Sequence, residues 1–171
     1  MPTKSTRKTS KGRNRPEVPL QAAVQWACRA RGAPSAARLR AFARAAARGA
    51  AEVTLRVVGA AEARRLNRAY RRRDYATNVL TFGYGRSAGR GGMRLRGDVV
   101  LCHPVVVREA RARRKSTEAH YAHLVVHAML HLRGYDHQRA QQRHRMERAE
   151  VLALRRLGFA NPYFEYAARP R

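Results

Sequence analysis

Three histidines carry the most chemistry in this sequence. His127 and His131 stand four residues apart, and His137 follows across Gly134 in the pattern H-x-x-x-H-x-x-G-x-x-H. On a helix, residues four apart project from one face about one turn apart, which lets two imidazoles share a tetrahedral ion. Gly134 readily takes the left-handed conformation that ends a helix and turns the chain back, and this brings His137 towards the same point. Three neutral nitrogen ligands leave a fourth position free, the pattern of catalytic rather than structural zinc. An ion held this way keeps its full charge, lowers the pKa of bound water to about 7 and grips an anionic oxygen. The expected cofactor is one Zn2+ per chain, with nickel and iron as chemically similar occupants. The plain alternative is a histidine-rich helix whose rings are buried and satisfied.

Neighbouring residues refine this expectation. Asp136 is suited to orienting a ligand imidazole, and equally to capping the helix that follows. His120 and His123 continue the histidine series backwards, and are expected to face solvent or support the ligands rather than bind the ion. The residue after His127 is Ala128, where zinc peptidases of the H-E-x-x-H type carry their general base. Proteolysis is correspondingly disfavoured.

The elements that must hold these residues follow from periodicity. Val18, Leu20, Ala22, Val24, Trp26 and Cys28 alternate as in a half-buried strand. Pro34 and Ser35 open a helix with Leu39, Phe42, Ala43 and Ala46 on one face, closed by Gly49. Val53, Leu55 and Val57 alternate again, up to Gly59. Residues 60–72 form a helix with Leu66, Ala69 and Tyr70 expected to face inward. Short strands are expected at 77–82 and 98–102, separated by a mobile Gly/Arg loop at 83–97. Pro104 fits the first turn of a helix to about Lys115. Ser116 or Thr117 caps the histidine helix, which runs to about Arg133. A last helix spans about 138–157 and stops at Gly158. The order β-α-β-α-β-β-α-α-α predicts one α/β sandwich domain with a four-stranded mixed sheet. Residues 1–16 read as a disordered basic arm, 17–165 as the domain and 166–171 as a tail.

Charge points to the partner. Among 171 residues, 37 are Lys or Arg and 11 are Asp or Glu, a formal net charge of +26. Only four of the basic residues are lysines. A GC-rich genome explains Arg in place of Lys, but not the shortage of compensating acids. Such a surface attracts phosphate backbones. No apolar run approaches the roughly 20 residues of a membrane span, so no membrane role is expected. Cys28 and Cys102 lie far apart in apolar segments and read as small buried hydrophobes of a reducing, cytoplasmic compartment, with a bridge between the two as the alternative.

The sequence resembles the YbeY family of bacterial endoribonucleases, the ribosomal-RNA maturation factors. The likeness is carried by Leu-Asn-Arg-Ala-Tyr-Arg at 66–71, Asp74, Thr-Asn-Val-Leu-Thr-Phe at 77–82, Gly-Asp-Val-Val-Leu-Cys at 97–102 and the His127 to His137 block. It covers about 18–163. The resemblance implies an αβα fold with zinc at one end of a cleft. It also implies single-strand endoribonuclease activity in 3′-end processing of small-subunit ribosomal RNA and in ribosome quality control. The implied partners are ribosomal RNA, the small subunit and its assembly factors. By the same resemblance Arg71 lies in the cleft, as a catalytic residue beside His127, holding RNA phosphate or stabilising charge. Two departures stand out. Ala128 replaces the family's usual glycine and is expected to narrow access, and Gly83 replaces a proline and is expected to loosen the mouth of a loop. Two other readings remain open on the residues alone: a non-catalytic RNA-binding assembly factor with structural zinc, and a zinc hydrolase on another substrate such as peptide.

Overall fold

The computed structural model describes residues 20–89, 92–135 and 140–163. The basic arm, the tail, and the positions of Asp136 and His137 lie outside the described residues. The elements are β1 (Gln21–Trp26), α1 (Ala36–Ala46), β2 (Ala51–Val58), α2 (Ala60–Arg71), β3 (Val79–Gly89), β4 (Gly92–Cys102), α3 (His103–Ala112), α4 (Thr117–Leu132) and α5 (Ala140–Arg156). This is the expected order. The sheet runs β1-β2-β4-β3, parallel except for antiparallel β3.

Strand alternation sorts the sheet into two faces. Val53, Leu55, Val57, Val99 and Leu101 point to one side, where α1, α4 and α5 supply Leu39, Phe42, Val125, Met129, Met146 and Leu154. Val58, Val100 and Cys102 point to the other, against Ala63 and Leu66 of α2. Burial of these apolar side chains, at roughly 1.5–3 kcal/mol for each large one, is the main favourable term in folding. The face expected of α1 is buried as read, with Leu39, Phe42, Ala43 and Ala46 all inside. Its closure differs: Ala47 caps the helix in an extended conformation, and Gly49, at φ 77°, turns the chain only afterwards.

Two expectations fail for definable reasons. In α2, Ala69 and Tyr70 are exposed while Ala63 and Asn67 are buried. The inward face is rotated because Asn67 is recruited inside, where its Nδ2 donates to the carbonyl of Tyr75 at 2.8 Å and ties down the turn after the helix. The Gly/Arg segment is not a loop but a hairpin. Gly83 pairs with Gly97, and after a shift Arg86 pairs with Leu95 and Ser87 with Arg94. Tyr84 and Gly85 oppose Arg96 alone, with Gly85 at φ 75°, so a glycine-type bulge absorbs the extra residue. Backbone ladders need no apolar side chains, so the low hydrophobicity of 83–97 hid them. For the same reason Gly83 lies in a strand and loosens no loop mouth.

Cys102 is buried and Cys28 half-buried, and both thiols are free. No helix among the described residues is long and apolar enough to cross a membrane.

Candidate metal centre

The histidine helix is fixed at three points. At its start, the Ser116 hydroxyl accepts from Ala119 N–H at 3.1 Å. At its end, Tyr135 N–H donates to Leu130 O at 3.1 Å and Gly134 N–H to His131 O at 2.9 Å, with Gly134 at φ 85°. This bond pair is the glycine-dependent reversal anticipated for the helix terminus. Between them, Leu132 sits directly on the paired glycines Gly83 and Gly97. A Cβ on Gly97 would stand 2.7 Å from the Phe82 carbonyl and collide with the Leu132 side chain. Only bare backbone at that crossing lets α4 approach so closely.

Every residue of α4 from His120 to Leu132 is buried except His123, His127 and His131, which are half-buried. These three share one stripe, one turn apart. The Nε2 atoms of His127 and His131 face each other at 3.0 Å, with ring planes 78° apart. His127 Nδ1 lies 2.6 Å from Oε1 of Glu150, a fully buried carboxylate of α5. A carboxylate only accepts, so Nδ1 carries the proton and Nε2 presents a lone pair towards His131. Tyr163 donates to the other oxygen of Glu150, and His123 Nε2 lies 3.6 Å from it. Burial pushes the Glu150 carboxyl up, but the hydrogen bonds and charge of His123 and His127 outweigh it and hold the group below its usual range.

These donors fit a cation. Two nitrogens bound to one tetrahedral zinc stand about 3.3 Å apart, given bonds of about 2.05 Å, close to the separation seen here. A buried carboxylate behind a ligand imidazole is also what fixes tautomer and ring direction at metal sites. The third expected ligand, His137, and Asp136 lie outside the described residues, and no cluster of three ligating side chains occurs among the described ones.

The remaining candidates fall elsewhere. Ala128 is fully buried in the core, so its methyl group cannot narrow access to the rings. Arg71 ends α2, on the face of the sheet away from α4. It is exposed, and its guanidinium has no hydrogen-bond or ion-pair partner among the described residues.

Family comparison settles the kinship. The family model described as Endoribonuclease YbeY matches residues 33–158. The chain belongs to the endoribonuclease YbeY family. A relative called Endoribonuclease YbeY from Aromatoleum aromaticum is 51% identical over 155 residues, covering 91% of this chain and 97% of its own length. One of the same name from Thiobacillus denitrificans is 50% identical over 144 residues, covering 84% and 96%. A solution structure of a Thermotoga maritima protein, TM1509, overlays with a TM-score of 0.48 at 20% identity, covering 83% of this chain and 98% of its own. Membership in the YbeY family makes the chain an RNA-acting hydrolase by kinship, as the sequence resemblance implied.

Two groups escaped the sequence reading. Glu150 is one. Its signal was available: on α5 it takes an inward position with Met146, Ala153 and Leu154, where an acid needs a reason. The other is the pair beneath the histidine stripe. His120, expected to face solvent or a ligand, is 1% exposed and bonded through Nε2 to Glu109 at 2.8 Å. Glu109 also accepts from Asn78 Nδ2 at 2.9 Å, so α3, α4 and the start of β3 meet on one carboxylate. His123 does support the site, through Glu150.

Burial lowers the His120 pKa despite the opposing pull of Glu109. Below the ordinary value of 6.5 the unfolded chain therefore takes up a proton that the folded one refuses. A depressed histidine contributes stability that is present above that value and lost as pH falls. The melting temperature is expected to drop as pH falls below about 6.5, and His120→Gln, which keeps a donor to Glu109, is expected to flatten that part of the curve. Thermal unfolding across this range decides it; equal slopes for both proteins would assign the drop to other groups.

Proposed function

We propose that this chain is a zinc-dependent endoribonuclease of single-stranded RNA, acting in the cytoplasm on the 3′ end of small-subunit ribosomal RNA and in ribosome quality control. Its partners on this reading are ribosomal RNA, the small subunit and assembly factors. The observation that carries the reading is the facing pair of His127 and His131 nitrogens, with His127 steered by the buried Glu150. His127, His131 and His137 would hold the ion, which supplies a Lewis acid for a phosphoryl oxygen and an acidified water. The chain's own residues do the rest. Glu150 keeps the Nδ1 proton of His127 in place, and the half-buried stripe leaves the site open on one side. Arg71, exposed and with no described carboxylate to neutralise it, is available to take RNA phosphate; a part in offsetting developing charge is what the family resemblance implies for it.

A structural role for the metal is disfavoured by packing. The α4–α5 contact is already closed by Met129, Leu130, Met146 and Leu154, all 2% exposed or less, and the helix end by its own glycine cap. Chelation should therefore leave the protein folded. Elemental analysis is expected to give one zinc per chain. Cleavage of a ribosomal-RNA precursor should vanish on chelation, and fall sharply in Arg71→Glu, which reverses the charge of a phosphate contact, with zinc retained. Identical cleavage by wild type, chelated protein and Arg71→Glu would remove the enzyme reading. Loss of fold on chelation, with RNA affinity intact, would instead favour an assembly factor with structural zinc.

A further inference from the structure

A second site lies on the same domain, around the corner of α4 from the histidines. A cavity of about 280 Å³ opens between the end of α1, the end of α4 and the outer face of α5. Arg48, Arg133, Arg145, Arg148 and Arg156 line it, and no acidic residue does. Arg145, Arg148 and Arg156 recur at helical spacing on one stripe of α5, and all three are exposed. None of them, nor Arg48, has a carboxylate partner among the described residues. Arg133 is held in place, donating to Ala46 O at 3.0 Å and lying over the Tyr135 ring at 5.5 Å. The floor is apolar, with Ala149, Ala153 and the half-exposed Leu152.

Clustered like charges repel, and elsewhere in this protein arginines find acids: Arg38 with Glu118, Arg56 with Glu62, Arg64 with Asp74. Part of the repulsion is offset by the carbonyl end of α1, but that end already has Arg133. Five guanidiniums around one concavity with no acidic side chain in its lining match the forked, multivalent recognition of phosphate oxygens. The apolar floor suits the base or sugar beside such a phosphate, and the cavity is on the scale of one nucleotide rather than of a protein surface.

The geometry points to a phosphate-binding exosite that anchors single-stranded RNA away from the cleavage centre. This rests on the reading of the chain as RNA-acting, but not on the metal. The experiment therefore uses binding of a 2′-O-methyl oligonucleotide, checked on a gel to stay intact through the titration, followed by fluorescence anisotropy over a range of salt. Each phosphate contact to a single strand contributes about 0.7 to the slope of log affinity against log salt. The triple variant Arg145→Ala, Arg148→Ala, Arg156→Ala is expected to lower that slope by about 2 and weaken binding about tenfold near 0.1 M salt. Arg29→Ala, Arg31→Ala, Arg111→Ala, which removes the same charge from exposed positions outside the cavity, is expected to change the slope by well under 1. Turnover at saturating RNA should be unchanged in both. Equal losses in the two variants would reduce the effect to net charge and overturn the site. Inorganic phosphate that displaces the probe, with a dinucleotide binding as tightly as the long oligonucleotide, would assign the cavity to free phosphate instead. A triple variant unaltered towards RNA but weakened towards poly-glutamate would make it a peptide site, and equally overturn the proposal.

Discussion

His127→Ala is expected to lower both zinc occupancy and RNA cleavage by well over a hundredfold while the protein stays folded. Its imidazole is half-buried, so truncation removes little apolar area from the core. It does remove the lone pair facing His131 at 3.0 Å, and a ligand matters more than the groups supporting it, whose loss costs about 10–100-fold in affinity or activity. The variant also strands Glu150, which would keep only Tyr163 and the more distant His123. A modest fall in melting temperature should therefore accompany the loss of function. Metal content after dialysis, together with precursor cleavage, checks the prediction. Full zinc occupancy in His127→Ala would show that the ligands lie elsewhere.

Glu150→Gln should produce the second-largest effect, and it separates steering from ligation. The amide oxygen still accepts from His127 Nδ1, so the ring stays in place, but the negative charge that makes the imidazole a better donor is gone. Zinc affinity is expected to fall about 10–100-fold, with cleavage restored at high zinc. Glu150→Ala should do worse, because it removes the acceptor shared by the half-buried His127 ring and Tyr163 hydroxyl, at about 0.5–1.5 kcal/mol for each bond lost. Competition with a chromophoric chelator measures the first effect and denaturant unfolding the second. Unchanged zinc affinity in Glu150→Gln would mean that the carboxylate only fills space.

The contrast between these two residues also shows what the sequence makes legible. His127 and His131 stand out because a helix of known period places them on one face, and Gly134 because only a reversal explains it. Local spacing contains that information. Glu150 is 23 residues from His127, and the contact exists only once α5 packs across α4. A carboxylate among apolar residues is visible in sequence, but its partner is decided by tertiary packing. The element order and mixed sheet follow from periodicity, and all nine elements appear. The hairpin at 83–97 was obscured because glycine and arginine give no apolar alternation. Tyr70 was misassigned because an aromatic at helical spacing normally turns inward; here it lies 68% exposed with its ring against the edge of Phe82. In each case the failure lies at a contact between segments, not within one.

The tie from Glu150 to Tyr163 has a temporal side. A chain is made from its N-terminus, and α4 precedes both residues that set the direction of its central imidazole. While α5 is still being translated, the helix bearing His127 and His131 has neither the acid that accepts from His127 Nδ1 nor the phenol that donates to it. Synthesis order thus delays the fixing of the His127 tautomer until Glu150 has docked against α4.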